Sequence, residues 1–258
     1  MPVALVTGAS RGIGAATALA LAERGHDLAV NFREKAKRAE AVADEVRALG
    51  RRALALAADL TDAEAVRRMF ETARRELGRL DVLVLNASGG MERDQGPDYA
   101  MRLNRDAQVA AVDAALPSLA ERARVVFVTS HLAHFHGRRE GYPAYEPVAT
   151  SKRAGEDALR ARIPALAARG VSLVVVSGDL IEGTITPRLM EREAPGLIEA
   201  RRAQAGDLPT VERFAAAIAD AATDLALVSG ATVHVGSTEW SLGRGAQRSA
   251  SGPGSSAG

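Results

Sequence analysis

Val3-Ala4-Leu5-Val6-Thr7-Gly8-Ala9-Ser10-Arg11-Gly12-Ile13-Gly14 is an apolar run that breaks into a glycine turn. An alanine-rich amphipathic segment, residues 15–24, follows at once. A strand, a glycine turn and a helix in that order form a cradle for a pyrophosphate. The turn's amides and the helix N-terminus both present partial positive charge to it. Glycine is needed where the backbone bends sharply, or where a side chain would hold the ligand away. Glycines at this spacing also occur in plain turns; the strand before and the helix after favour ligand binding.

Working outward, strand and helix patterns alternate to the end of the chain. Residues 26–32, 53–58, 80–85, 124–129, 171–176 and 232–235 read as further buried strands. Between them, residues 34–49 read as a helix stopped by Gly50. Thr61 opens another, with Glu64 at the capping-box position. A long helix is expected over 98–120, one from about Pro147 that Pro164 kinks or ends, and one over 211–227. Residues 87–96 and 131–146 read as loops, the second long and broken by Gly137, Gly141 and Pro143. Alternation of this kind predicts an α/β, doubly wound, seven-stranded parallel sheet of Rossmann type. A single domain over 1–240 is expected, followed by a disordered Ser/Gly/Ala-rich tail, 241–258. Ligands bind beyond the carboxyl ends of such strands, which places the turn, Asn86, Ser130 and Gly178 around one cleft.

A formal charge of +1 gives no electrostatic case for a nucleic-acid partner. The chain has no cysteine, which excludes disulfides, thiolate nucleophiles and cysteine-ligated metals. The first strand begins at about Val3, leaving no room for a signal peptide, and no apolar run is long enough to span a bilayer. A soluble, cytoplasmic protein is the expectation. Three of the five histidines, His131, His134 and His136, fall within six residues, but no carboxylate partners them at a regular spacing, so no metal site is expected.

With the turn, the strand order and the strand-end residues assembled, residues 3–236 resemble the short-chain dehydrogenase/reductase family. Thr7 to Gly14 matches the family's T-G-x-x-x-G-x-G cofactor motif, carrying Gly8, Ser10, Arg11, Gly12, Ile13 and Gly14. Asp59, with Leu60 beside it, matches the acid that contacts the adenine. Asn86-Ala87 matches part of N-N-A-G, with Leu85 and Ser88 at the outer positions. Asn104, thirteen positions before Pro117, matches the helix asparagine, which in the family holds a structural water. Ser130 and Lys152 match the catalytic serine and lysine, and Gly178 the glycine of a P-G turn whose proline is Ser177 here. The nearest branch in this reading is that of the 3-oxoacyl-(acyl-carrier-protein) reductases. The resemblance implies a small-molecule or acyl-carrier-bound substrate and a homo-oligomer, dimer or tetramer. An alanine stripe, Ala110, Ala111, Ala114 and Ala115, suits close helix approach between copies, or packing on the sheet.

Charge argues for the cofactor. An NAD enzyme carries an acid near the end of the second strand for the ribose 2′-hydroxyl. Here that place reads Asn31-Phe32-Arg33, and a guanidinium pairs with a 2′-phosphate. Arg11 can join it, and Glu34 opposes it. NADPH (NADP+) is therefore the expected cofactor, and the resemblance implies that Lys152 contacts its nicotinamide ribose.

The family spaces tyrosine and lysine as Y-x-x-x-K, but four residues before Lys152 stands Val148, which has no proton to give. Three replacements are open. Tyr145 lies seven positions before Lys152, about two helical turns. The histidines of 131–136 are competent acids near neutral pH. Substrate or water is the third source. The expected function is NADPH-dependent reduction of a ketone or oxoacyl group with an atypical proton donor. The alternatives are an NADP(H)-binding sensor or inert partner subunit, and a non-redox lyase or cyclase.

Overall fold

A computed structural model of the protein describes residues 1–92, 95–96, 98–138 and 141–238. The expected tail, 241–258, lies outside them. The strands are β1 (Val3–Val6), β2 (Asp27–Phe32), β3 (Ala53–Ala57), β4 (Leu80–Leu85), β5 (Leu119–Ser130), β6 (Ser172–Gly178) and β7 (Thr232–Val235). They form one sheet in the order β3-β2-β1-β4-β5-β6-β7, every pair parallel. The order reverses between β1 and β4, which opens a crevice beyond their carboxyl ends.

Helices cover both faces, and side-chain alternation divides the core. Val3, Leu5, Leu83, Leu85, Val125 and Phe127 pack with α3 (Ala63–Leu77) and the helices that follow β4. Ala4, Val6, Val82, Val84, Val126 and Val128 pack on the other side with α1 (Gly12–Glu23) and α2 (Ala36–Ala48). Val, Leu and Ala fill both layers, as strands buried on two faces require.

The expected long helix over 98–120 is broken in two ways. It comprises α4 (Tyr99–Met101), a π turn (Arg102–Asp106) and α5 (Ala107–Ala115). The π turn swells the backbone at Asn104 toward Gly155, where a Cβ would stand 2.1 Å from the Asn104 carbonyl oxygen. Pro117 then ends the helix, and β5 begins five residues before the expected 124, pairing Leu119 with Leu80. Ala111 and Ala115 of the alanine stripe are buried in the core beneath α5, and Ala110 is exposed.

Other boundaries moved for local reasons. Asp62, not Thr61, caps α3, its carboxylate accepting the Glu64 and Ala65 amides; the Thr61 hydroxyl donates to Asp59 instead. Residues 131–146 are not all loop: α6 (His131–His134) and a 3-10 turn (Pro143–Tyr145) lead into α7 (Glu146–Arg160). Pro164 sits in the first turn of α8 (Ile163–Ala167) rather than ending α7. Two helices that the sequence reading left unassigned, α9 (Ile185–Glu193) and α10 (Leu197–Ala205), follow β6. The last helix, α11 (Val211–Thr223), packs beside α1 and stops before the expected 227. Arg124 takes over there, its buried guanidinium donating to the carbonyls of Ala221, Asp224 and Leu227.

Candidate active site

The glycine turn is held from two neighbouring strands. Thr7 Oγ1 donates to the Val84 carbonyl at 3.2 Å and accepts the amides of Asn86 and Ala87 at 2.9 and 3.0 Å. Asn86 Nδ2 returns to the Thr7 carbonyl at 2.9 Å, and Asn31 Oδ1 accepts the Gly8 amide at 3.2 Å. Gly8 (φ +62°) and Gly12 (φ +54°) take the left-handed conformation that L side chains avoid. At Gly14 a Cβ would stand 2.5 Å from the Gly8 carbonyl oxygen and 2.6 Å from Asn86 Nδ2. The backbone can coil this tightly only without a side chain there. No side chain caps the N-terminus of α1, so its first amides face outward from the turn.

One cleft at the carboxyl end of the sheet gathers Ile13, Asn86, Ser130, Tyr145, Lys152 and Gly178. Ser130 ends β5, and its Oγ accepts the Ala133 amide at 3.2 Å as the cap of α6. The Tyr145 hydroxyl lies 3.0 Å from the same Oγ. Pro143 fixes the 3-10 turn that delivers Tyr145, which is buried at the mouth of α7. Burial pushes its phenol pKa up, against the opposing hydrogen bond from Ser130. Lys152, one face of α7 further on, is 8% exposed, and burial pulls its ammonium down to about 8. It has no hydrogen-bond partner among the described residues. Val148 is not among the residues lining the cleft; it belongs to the apolar cluster that holds Ala133, Tyr145, Leu180 and Met190.

Asn104 is placed elsewhere. Its Nδ2 donates to the Gly89 carbonyl at 2.8 Å and to Ser151 Oγ at 2.9 Å, while its Oδ1 accepts the Gly89 amide at 3.2 Å. Those bonds tie the segment after β4 to α7, and Asn104 is not among the residues lining the cleft. The remaining expected residues stand on the turn and strand ends. Ala87 packs against Gly8, where a Cβ would come within 3.0 Å of the Ala87 Cα. Ser10 is half-buried and Arg11 exposed on the turn. Asp59 holds Thr61 and is followed by buried Leu60. Gly178 leaves room for the Phe214 ring, which a Cβ would meet at 2.7 Å. Arg33 donates to the Tyr99 hydroxyl at 2.6 Å and pairs with Glu34 at 2.9 Å.

The histidines separate. His131 lines the cleft and is buried, Nδ1 bonded to Ser177 Oγ at 2.7 Å; desolvation takes its pKa down to about 4. His134 pairs with the fully buried Glu156, and His136 with exposed Glu146. None of the three bonds to Ser130 or Tyr145 among the described contacts. The wall opposite the turn was not visible in the sequence. It comes from Leu180, Thr184, Pro187 and Met190, together with a buried ion pair, Asp179 with Arg201 at 2.7 and 2.9 Å. The Gly178-Asp179 strand end is the one local signal that could have pointed there.

A model of the short chain dehydrogenase family matches residues 2–194. The hydroxynaphthalene reductase-like protein Arp2 of Metarhizium brunneum (strain ARSEF 3297) is 38% identical over 160 residues, 60% of this chain and 58% of that protein. The chain thus aligns with less than two thirds of the length of that curated relative. Among solved structures, a short chain dehydrogenase from Burkholderia cenocepacia J2315 in complex with NADP is 30% identical, with a TM-score of 0.78, covering 91% of this chain and 96% of that one. A blue fluorescent protein from a metagenomic library in complex with NADPH is 34% identical, with a TM-score of 0.78, covering 90% and 95%. Among the described residues no helix is long and apolar enough to cross a membrane.

Proposed function

Because the chain belongs to the short chain dehydrogenase family, we propose that it is a carbonyl reductase that uses NADPH and takes its proton from Tyr145. The 3.0 Å approach of the Tyr145 hydroxyl to Ser130 Oγ carries this reading. It puts an acid beside the serine at the strand end, in the role that Val148 cannot fill.

The residues present fit the cofactor. The uncapped start of α1 and the left-handed Gly8 and Gly12 suit a pyrophosphate, and the missing Cβ of Gly14 lets the backbone close around it. Arg33, at the end of β2, is placed for a 2′-phosphate, with Arg11 beside the turn and Asp59 and Leu60 on the adenine side. The Lys152 ammonium, without a hydrogen-bond partner among the described residues, suits the nicotinamide ribose hydroxyls, and Asn86 and Gly178 line the same cleft. NADPH, when bound, supplies the hydride.

Tyr145 does the acid work. The phenol is protonated at neutral pH and can hand a proton to the carbonyl oxygen as the carbon is reduced, although burial, by raising its pKa, works against the transfer. Ser130 Oγ, oriented by the Ala133 amide, can donate to the phenol oxygen and stabilise the phenolate left behind. The Asn104 side chain acts as a brace between the segment after β4 and α7.

Apolar and aromatic walls from Leu132, Tyr142, Leu180 and Met190 suit a flat aromatic ketone, the class suggested by the name of the Metarhizium relative. An acyl-carrier-bound oxoacyl group is the competing substrate. A homo-oligomer in the cytoplasm completes the proposal. Loss of nicotinamide absorbance with a panel of bicyclic aromatic ketones and oxoacyl thioesters tests it. Tight NADPH binding with no turnover on either class would replace it with a cofactor-binding protein.

A further inference from the structure

Arg33, just beyond β2, has two side-chain partners among the described contacts. Its Nη1 donates to the Tyr99 hydroxyl at 2.6 Å, and its Nη2 meets Glu34 at 2.9 Å. The two partners differ in kind. Glu34 is a solvated carboxylate, 58% exposed at the side chain, and it competes with a phosphate for the same charge. Tyr99 is 6% exposed and neutral, so its oxygen orients the guanidinium without cancelling it.

Tyr99 is itself fixed. Its ring lies against Gly89, where a Cβ would stand 3.1 Å from Tyr99 Cε1 and 3.1 Å from Leu103 Cδ2. The Asn104 side chain clamps both the amide and the carbonyl of Gly89 and reaches Ser151, the neighbour of Lys152. A phenol held by that scaffold gives Arg33 one fixed anchor, while the other side of the guanidinium meets only the solvated Glu34 carboxylate, which a phosphate can displace. An Arg33 lacking this anchor is left to the carboxylates of Glu34 and Asp59, both of which act on its charge.

We infer that Tyr99 is a positioning residue for cofactor selectivity, its hydroxyl holding Arg33 for a 2′-phosphate. The inference rests on the NADPH reading and adds a second residue, far from Arg33 in sequence, to the determinant of that choice.

Calorimetric titration of the full chain with NADP+ and with NAD+ tests it. The wild type is expected to bind NADP+ more tightly. Tyr99→Phe is expected to weaken NADP+ about tenfold and leave NAD+ unchanged, the loss of one hydrogen bond to a charged group. In an Arg33→Ala background the same change should have no effect on either dinucleotide, because the pair acts as a unit. Equal weakening of both dinucleotides, or a loss that persists without Arg33, would mean a merely structural role and overturn the inference. So would an NADP+ preference that survives Tyr99→Phe intact. A wild type that binds the two equally refutes the NADPH reading itself, and the inference with it.

Discussion

Ser130 Oγ and the Tyr145 hydroxyl stand 3.0 Å apart, although one residue ends a sheet strand and the other belongs to a 3-10 turn fifteen positions later. Tyr145→Phe keeps the ring that packs with Val148 and Met190 and removes only the proton. Turnover is expected to fall about 10²- to 10⁴-fold, with NADPH affinity held within about twofold. Steady-state kinetics alongside a binding titration would check it. Unaltered turnover would move the proton donor elsewhere.

Restoring the family's Y-x-x-x-K spacing should not help. Val148 is 4% exposed, and its Cγ2 lies 3.2 Å from where a Cβ on Gly90 would be. Val148→Tyr therefore overpacks a closed site and is expected to destabilise the fold by about 1–3 kcal/mol. Thermal melts should show the loss, and kcat should not rise. A gain in kcat would show that residue 148 is the better acid position and that Tyr145 had not taken over the task.

Lys152 makes stability depend on pH at the alkaline end. Burial lowers its folded pKa from 10.5 to about 8. Between those values the unfolded chain keeps a proton that the native cofactor-free protein has released, so stability rises with pH across the window. The gain is about 3 kcal/mol if this group acts alone. Lys152→Met, which has no charge to bury, should be more stable than the wild type below the window, and the difference should shrink across it. Urea titrations at steps through the window would measure this, and a constant difference would contradict it. The same variant should lose NADPH affinity.

His131 acts at the acid end. Its pKa falls from 6.5 to about 4, chiefly through desolvation. Below 6.5 the unfolded chain takes up a proton that the buried ring refuses, so this contribution to stability is complete above 6.5 and is lost as pH falls toward 4. Its size is about 3 kcal/mol at most. His131→Asn, which keeps a nitrogen or oxygen near Ser177, should flatten the unfolding free energy over that range. A slope unchanged by the substitution would assign the acid lability to other groups. A ring that is neutral at physiological pH is also a poor proton donor there, which agrees with the choice of Tyr145.

Much of the fold could be read locally. Seven apolar strand patterns, separated by helical periods and opened by a glycine turn, specify a parallel sheet because each pattern repeats over only a few residues. β7 and the carboxyl ends at Asn86, Ser130 and Gly178 fall where that reading places them. The helix interrupted at Asn104 did not announce itself. A π turn arises from contact with Gly155 on another helix, and no periodicity within residues 98–120 encodes that neighbour. Arg124 likewise shows in sequence only as the start of a strand, and three carbonyls at the end of α11 receive its guanidinium in the fold.

The same division runs through the site. The sequence by itself determined the phosphate turn, the cleft at the strand ends and the absence of a tyrosine at position 148. Each of these depends on residue identity and short spacing. Only the tertiary structure brought the Tyr145 hydroxyl to Ser130 and gave the histidines other partners, sent the Asn104 side chain to Gly89 and Ser151, and joined Arg33 to Tyr99. Those outcomes depend on which distant elements pack together and on how far each group is drawn out of water. Hydrogen bonds and desolvation act over a few ångströms in space, whatever the separation along the chain.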